Sequence, residues 1–161
     1  MKWVTFPIAS AVFLAVLWLR PPGSAVAEAK PQPQMVMSAN APAEVRLRKR
    51  RNGHFYTHGL ANGQVVEFLV DTGASAVVLT VADARRIGLS VDPRRFRVIG
   101  SGASGAVRGQ VERLEEIEIS GRTIRGLDVM IAQGLEGSLL GQDFLSHLQS
   151  VSMSGDMMVL R

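Results

Sequence analysis

From Glu44 onward the pattern of apolar and polar positions is that of short strands cut by turn dipeptides. Val45 to Arg51 alternates weakly and runs into Asn52-Gly53, and His54 to Leu60 returns to a second such pair at Asn62-Gly63. Asn-Gly tolerates the two positive φ angles of a type I′ turn, so each pair predicts a hairpin. Gln64 to Val70 predicts a third strand. Thr80-x-x-Asp83 reads as a helix start, with Val81 to Ile87 a short helix stopped by Gly88. Arg95 to Ile99 predicts another strand before the glycine-rich Gly100 to Gly105. Val107, Val111 and Leu114 fit a helix, whereas Glu116-Ile117-Glu118-Ile119 alternates as a strand. Strand is preferred, because Ser120-Gly121-Arg122 turns the chain toward a β-type partner, Thr123 to Ile131. Near the end, Leu139-Leu140-Gly141 precedes a helical piece over Asp143 to His147. Val151 to Met153 and Met157 to Leu160 then predict a last hairpin about Ser154-Gly155-Asp156. The sum is a mostly β domain with one or two short helices and no internal repeat.

The upstream pattern is different. Trp3 to Leu19 is almost unbroken apolar sequence between Lys2 and Arg20, and Pro21-Pro22-Gly23 ends any helix there. Ser24-Ala25-Val26-Ala27 offers an Ala-x-Ala cleavage site. Residues 1–27 therefore read as an export signal or as an uncleaved membrane anchor. Either places the remainder on the periplasmic side of a bacterial inner membrane. Residues 28–43 are rich in Ala, Pro, Gln and Met without periodicity and read as a flexible tether, leaving residues 44–161 as the folded domain.

Composition narrows the chemistry. With 47% hydrophobic and 20% charged residues, the 161-residue chain is globular in type, and one domain is the natural content of its length. No cysteine is present, which excludes disulfides and thiolate chemistry. The net charge of +4 is partly local, since Arg46, Arg48, Lys49, Arg50 and Arg51 are crowded together. Without aromatic interleaving or a nucleic-acid module, this cluster reads as a solvated or membrane-proximal edge, and no nucleic-acid partner is expected.

Several chemical motifs fail on context. Gly100-x-Gly102-x-x-Gly105 matches a dinucleotide fingerprint, but it sits between β-like segments with no helix opening at its third glycine. His54, His58 and His147 are too dispersed for metal-ligand spacing. There is no Gly-x-Ser-x-Gly elbow. What remains is Asp71-Thr72-Gly73-Ala74-Ser75, where an apolar strand delivers a carboxylate into a turn of small residues. An ionised Asp there needs donors around it: Thr72 offers a hydroxyl, and Gly73 lets backbone N–H groups approach. Asp and Gly are also ordinary turn residues. Three coincidences raise this motif above that reading: the apolar strand running in, Ala74-Ser75 running out, and the Leu-Leu-Gly much later in the chain.

With these features residues 44–161 resemble the retropepsin-like aspartic proteases, in particular bacterial, exported, single-domain members. Val70 to Ser75 is similar to the family's catalytic loop. Leu139-Leu140-Gly141 is similar to its second hydrophobic-Gly element, the strand that threads past that loop. Gly100, Ser101, Gly102, Ala103, Ser104 and Gly105 stand where the flap is expected. The resemblance implies a closed-barrel acid-protease half-fold with one catalytic Asp per chain, completed by a second copy about a two-fold axis. It implies an aspartic endopeptidase acting on protein or peptide, with Asp71 activating water and neither metal nor organic cofactor required. Thr72 would bond across to the other subunit's loop, Gly73 would donate to the carboxylate, and Ala74 and Ser75 would support the loop. The tip from Gly102 to Gly105 has no bulky apolar residue, which leaves the grip on an extended peptide to its backbone. The alternative is a binding or adaptor module on the same fold, without turnover. Asp143, lacking a following Thr-Gly, reads as a helix-start or surface carboxylate.

Overall fold

The computed structural model describes residues 34–37, 44–102 and 105–161, and every structural statement below concerns these residues. In chain order the elements are β1 (Gln34–Met37), β2 (Val45–Arg48), β3 (Tyr56–Ala61), β4 (Gln64–Val70), β5 (Val78–Thr80), α1 (Val81–Arg86), β6 (Arg97–Gly102), β7 (Gly105–Ile119), β8 (Arg122–Ala132), β9 (Ser138–Leu140), α2 (Gln142–Leu145), β10 (Val151–Ser154) and β11 (Met157–Leu160). The large sheet runs β1-β8-β5-β9-β4-β3-β7-β6, and a further β7–β8 pairing closes six of its strands into a barrel. A second sheet has the order β10-β11-β2. The mostly β, closed-barrel architecture with two short helices is the one expected.

Alternation on β4 explains the core. Val66, Phe68 and Val70 point inward, while Val65, Glu67 and Leu69 take the other face. Phe68 shares one buried cluster with Leu79, Leu114, Ile117, Ile131, Leu140 and Phe144. Burying side chains of this size contributes about 1.5–3 kcal/mol each.

The two Asn-Gly pairs behave differently. Asn62 and Gly63 both have positive φ, 48° and 75°, and join β3 to β4 in the register Ala61↔Gln64, as a type I′ turn should. At Asn52-Gly53 only the glycine has positive φ, and no ladder links β2 to β3. β2 pairs instead with β11, Val45 opposite Leu160, so the first predicted hairpin is replaced by a pairing between distant parts of the chain.

Other local signals are met. Thr80 caps α1, its hydroxyl accepting from the Asp83 N–H at 3.0 Å, and Gly88 follows with φ +83°. β7 is a strand throughout, joined to β8 by a tight turn at Ser120 and Gly121. Gly100 to Gly102 and Gly105 belong to the antiparallel β6–β7 hairpin, in keeping with the rejection of a nucleotide loop. Ala103 and Ser104 lie outside the described residues, as do residues 1–27 with their expected signal or anchor.

Three differences stand out. Residues 34–37, expected to be tether, add β1 to the sheet opposite Arg122–Arg125. β5 was not signalled, having only Val78-Leu79-Thr80 between a loop and a helix. The strand expected from Arg95 begins at Arg97, because Pro93 to Arg95 form a 3-10 turn capped by Asp92.

β7 performs two structural tasks. Its first residues pair with β6 as a hairpin, and the rest close the barrel against β8. Gly109 is the node, opposite Arg97 on one side and Ala132 on the other. A Cβ there would stand 2.0 Å from the Ile131 carbonyl oxygen, so only glycine permits this closeness.

Candidate active site

Asp71 sits where β4 ends, and β9 holds it there. β9 runs parallel to β4, with Val70 opposite Leu140, and antiparallel to β5, with Leu139 opposite Val78. The chain leaves on β4, turns through residues 71–77 and returns on β5, and β9 passes between the two. Four backbone hydrogen bonds hold the loop, one within it and three to residues 140–143. Asp71 N–H donates to Leu140 C=O at 3.0 Å, and Ala74 N–H donates to Asp71 C=O at 3.2 Å. Gln142 N–H donates to Ala74 C=O at 2.8 Å, and Asp143 N–H to Ser75 C=O at 3.1 Å.

Gly141 makes this threading possible. A Cβ on it would lie 2.1 Å from the Ala76 carbonyl oxygen and 2.8 Å from that of Ala74. The glycine of Leu-Leu-Gly is thus a steric requirement of the loop it touches.

The Asp71 carboxylate accepts the Gly73 N–H at 2.9 Å, the donor expected from the motif. It is half-buried and faces a cleft of about 550 Å³. Gly73, Ala74 and Ser75 line this cleft with Asp71, and Gly100, Ser101 and Gly102 approach from the hairpin. Leu139 contributes to the floor, whereas Leu140 and Gly141 lie buried behind the loop. Thr72 is exposed, and its carbonyl accepts from the Gln142 side chain at 2.8 Å.

Apolar walls of the cleft were not foreseen. Ile99 and Val107, on the arms of the hairpin just behind its tip, line it opposite Val78 and Met130. Attention to the glycines of the tip misses them, whereas alternation on the two arms could have found them. The hairpin therefore offers side chains as well as backbone.

Asp143 differs from both surface and simple helix-start readings. It does begin α2, but it is half-buried, and its Oδ1 accepts the Val77 N–H at 2.8 Å, tying the exit of the Asp71 loop to the helix. Burial pushes its carboxyl above the ordinary value, outweighing the N–H donors of Val77 and Phe144.

Residues 57–147 match the family described as "gag-polyprotein putative aspartyl protease". The chain belongs to the retropepsin-like aspartic proteases. This retropepsin-like chain is 40% identical over 120 residues to an uncharacterized Sinorhizobium protein from the cobV 5′ region, covering 73% of this chain and 52% of that protein. It is 27% identical over 118 residues to an uncharacterized protein of Rickettsia prowazekii (strain Madrid E), covering 73% and 51%. The chain thus spans about half the length of the curated relatives it matches. Among solved structures it is similar to a retropepsin-like aspartic protease from Rickettsia conorii, with TM-score 0.61 and 25% identity over 81% of this chain and 94% of that one.

Elsewhere the retropepsin-like domain engages three residues of its basic cluster internally. Arg46 bonds Glu44, Lys49 pairs with Asp156 at 3.2 Å, and Arg50 grips Glu67. Among the described residues no group of three or more His, Asp or Glu is placed to hold a metal.

Proposed function

We propose that this chain is an aspartic endopeptidase whose catalytic unit is a pair of Asp71 carboxylates, one from each of two copies. The observation that carries the reading is Asp71 itself. Its carboxylate is held by the Gly73 N–H at the mouth of a cleft between an apolar floor and a hairpin. One Asp-Thr-Gly per chain supplies half of such a unit.

Two carboxylates brought together cannot both ionise, so they share a proton and titrate as a pair. The ionised member takes a proton from a water as its oxygen attacks the peptide carbonyl carbon. The protonated member donates to the carbonyl oxygen, and the leaving amine then receives a proton as the C–N bond breaks. In this reading Thr72, exposed beside Asp71, meets the other copy's loop. The apolar segment of residues 3–19 supports action outside the cytoplasm, with residues 1–27 as signal or anchor. An anchor would also raise the local concentration of the second copy.

Full-length Asp71→Asn and Asp71→Ala variants test this on a broad peptide library at acidic pH. Both are expected to keep the fold and self-association of the wild type and to lose at least about 10³-fold in cleavage rate. Undiminished cleavage by either variant would remove Asp71 from the mechanism.

A further inference from the structure

The Asp71 cleft continues beyond Leu139. Tyr56 stands opposite Leu69, Leu69 opposite Leu139, Leu139 opposite Val78, and Val78 beside Met130. Directly paired side chains share a face of the sheet, so these five residues form one row across five strands. Their sheet neighbours Val70, Leu79, Leu140 and Ile131 point the other way, into the core. Four interstrand gaps of about 4.8 Å give a row about 19 Å long, the span of about six residues of extended peptide.

One end of the row, with Val78 and Met130, lies in the cleft that holds Asp71. The other end opens into a second depression of about 540 Å³, and Leu135 and Leu139 line both. Tyr56, Leu69 and Leu139 floor this depression, with Arg50, Asn52 and His54 on one side and Leu135, Glu136 and Gly137 on the other.

Most of the polar groups there are committed to one another. Arg50 makes a forked ion pair with Glu67, and its guanidinium lies 4.1 Å from the centre of the Tyr56 ring. Asn52 donates to the Tyr56 hydroxyl at 2.8 Å. Glu136 is different: it is exposed at the rim and makes no ion pair with a described residue. With Arg50 and Glu67 cancelling, Glu136 leaves the lining with a net negative charge.

We propose that this depression is a specificity subsite in which Glu136 selects a basic side chain, about two or three residues from the bond held at Asp71. The proposal rests on the peptidase reading of the Asp71 cleft. Leu69, Leu135 and Leu139 would cover the methylene stem of a Lys or Arg, while Glu136 meets its charged head.

The test is direct binding, which needs no turnover. Fluorescein-labelled octapeptides carrying Lys, Gln or Glu at each position in turn are titrated into the full-length Asp71→Asn chain at pH 7, with anisotropy as readout. At one position the Lys peptide is expected to bind about tenfold more tightly than the Glu peptide. Glu136→Gln should abolish that difference, and Glu136→Lys should invert it. Equal affinities at every position, a preference surviving Glu136→Gln, or no peptide binding at all would overturn the subsite. The same peptides are then incubated with the wild-type chain. A charge preference in binding without any cleavage retains the subsite and removes the peptidase reading. Cleavage without charge preference removes the subsite alone.

Discussion

The backbone N–H of Asp71 donates to the carbonyl of Leu140 at 3.0 Å, so the acidic loop hangs from the Leu-Leu-Gly strand. The two motifs singled out in the sequence, almost seventy positions apart, are one structural object. The placement of the carboxylate therefore depends on Leu140 and Gly141, which lie buried behind the loop.

Gly141→Ala is expected to be severely destabilising. Its Cβ would meet the backbone at Ala76 and Ala74, neither of which is a flexible side-chain end. A loss of more than about 3 kcal/mol in chemical denaturation is anticipated, with loss of activity. Gly137→Ala, where a Cβ meets nothing within 4 Å, should change stability by no more than about 0.5 kcal/mol.

Asp143 predicts a pH dependence of one sign. Burial raises its carboxyl above the ordinary 3.8, so the folded chain binds that proton more tightly than the unfolded chain does. Stability from this group is full below the ordinary value and is lost as pH rises through it toward the raised value. Asp143→Asn should therefore lose less stability than wild type between about pH 4 and pH 7. Asp143→Ala should cost about 1–3 kcal/mol, because it orphans the N–H of fully buried Val77.

Asp83 should show the opposite dependence. Burial opposes its ionisation, but the Ser138 hydroxyl, the Arg86 guanidinium and the Thr80 hydroxyl together hold its carboxyl below the ordinary value. This stabilisation is present above the ordinary 3.8 and is lost as pH falls through the lowered value. Asp83→Asn should cost about 1–3 kcal/mol at pH 7, with the deficit shrinking in acid. Ser138 is fully buried on β9, so Ser138→Ala should reproduce part of that loss.

Ile99→Ala tests whether the hairpin grips through its side chains. An increase in KM of about 10-fold or more, with the melting temperature nearly unchanged, is expected for a residue lining the cleft. An unchanged KM would leave substrate contact to the backbone of Gly100–Gly102.

The sequence was legible where local chemistry decides. Asn62-Gly63, the Thr80 cap and the Asp71 turn each carry their own conformational instruction within a few residues. It was less legible where distant segments compete. Asn52-Gly53 has the same dipeptide as Asn62-Gly63, yet β2 is taken by β11 from the far end of the domain. β5 exists because β8 and β9 flank it, which three residues cannot announce. The tie from Asp143 to Val77 joins residues 66 positions apart, and no local pattern encodes it. Ile99 and Val107 became visible only once the hairpin registered them beside the cleft.

The fifteen residues of β7 carry one last consequence. The hairpin over the cleft is not hung on a loose joint; it is the overhanging end of a beam whose other end is built into the barrel wall. A load on the overhang is borne at its root, and Gly109 is that root, pressed against Ile131 with no room for a side chain. The barrel that carries the floor of the cleft thus also anchors the wall that Ile99 and Val107 form above it.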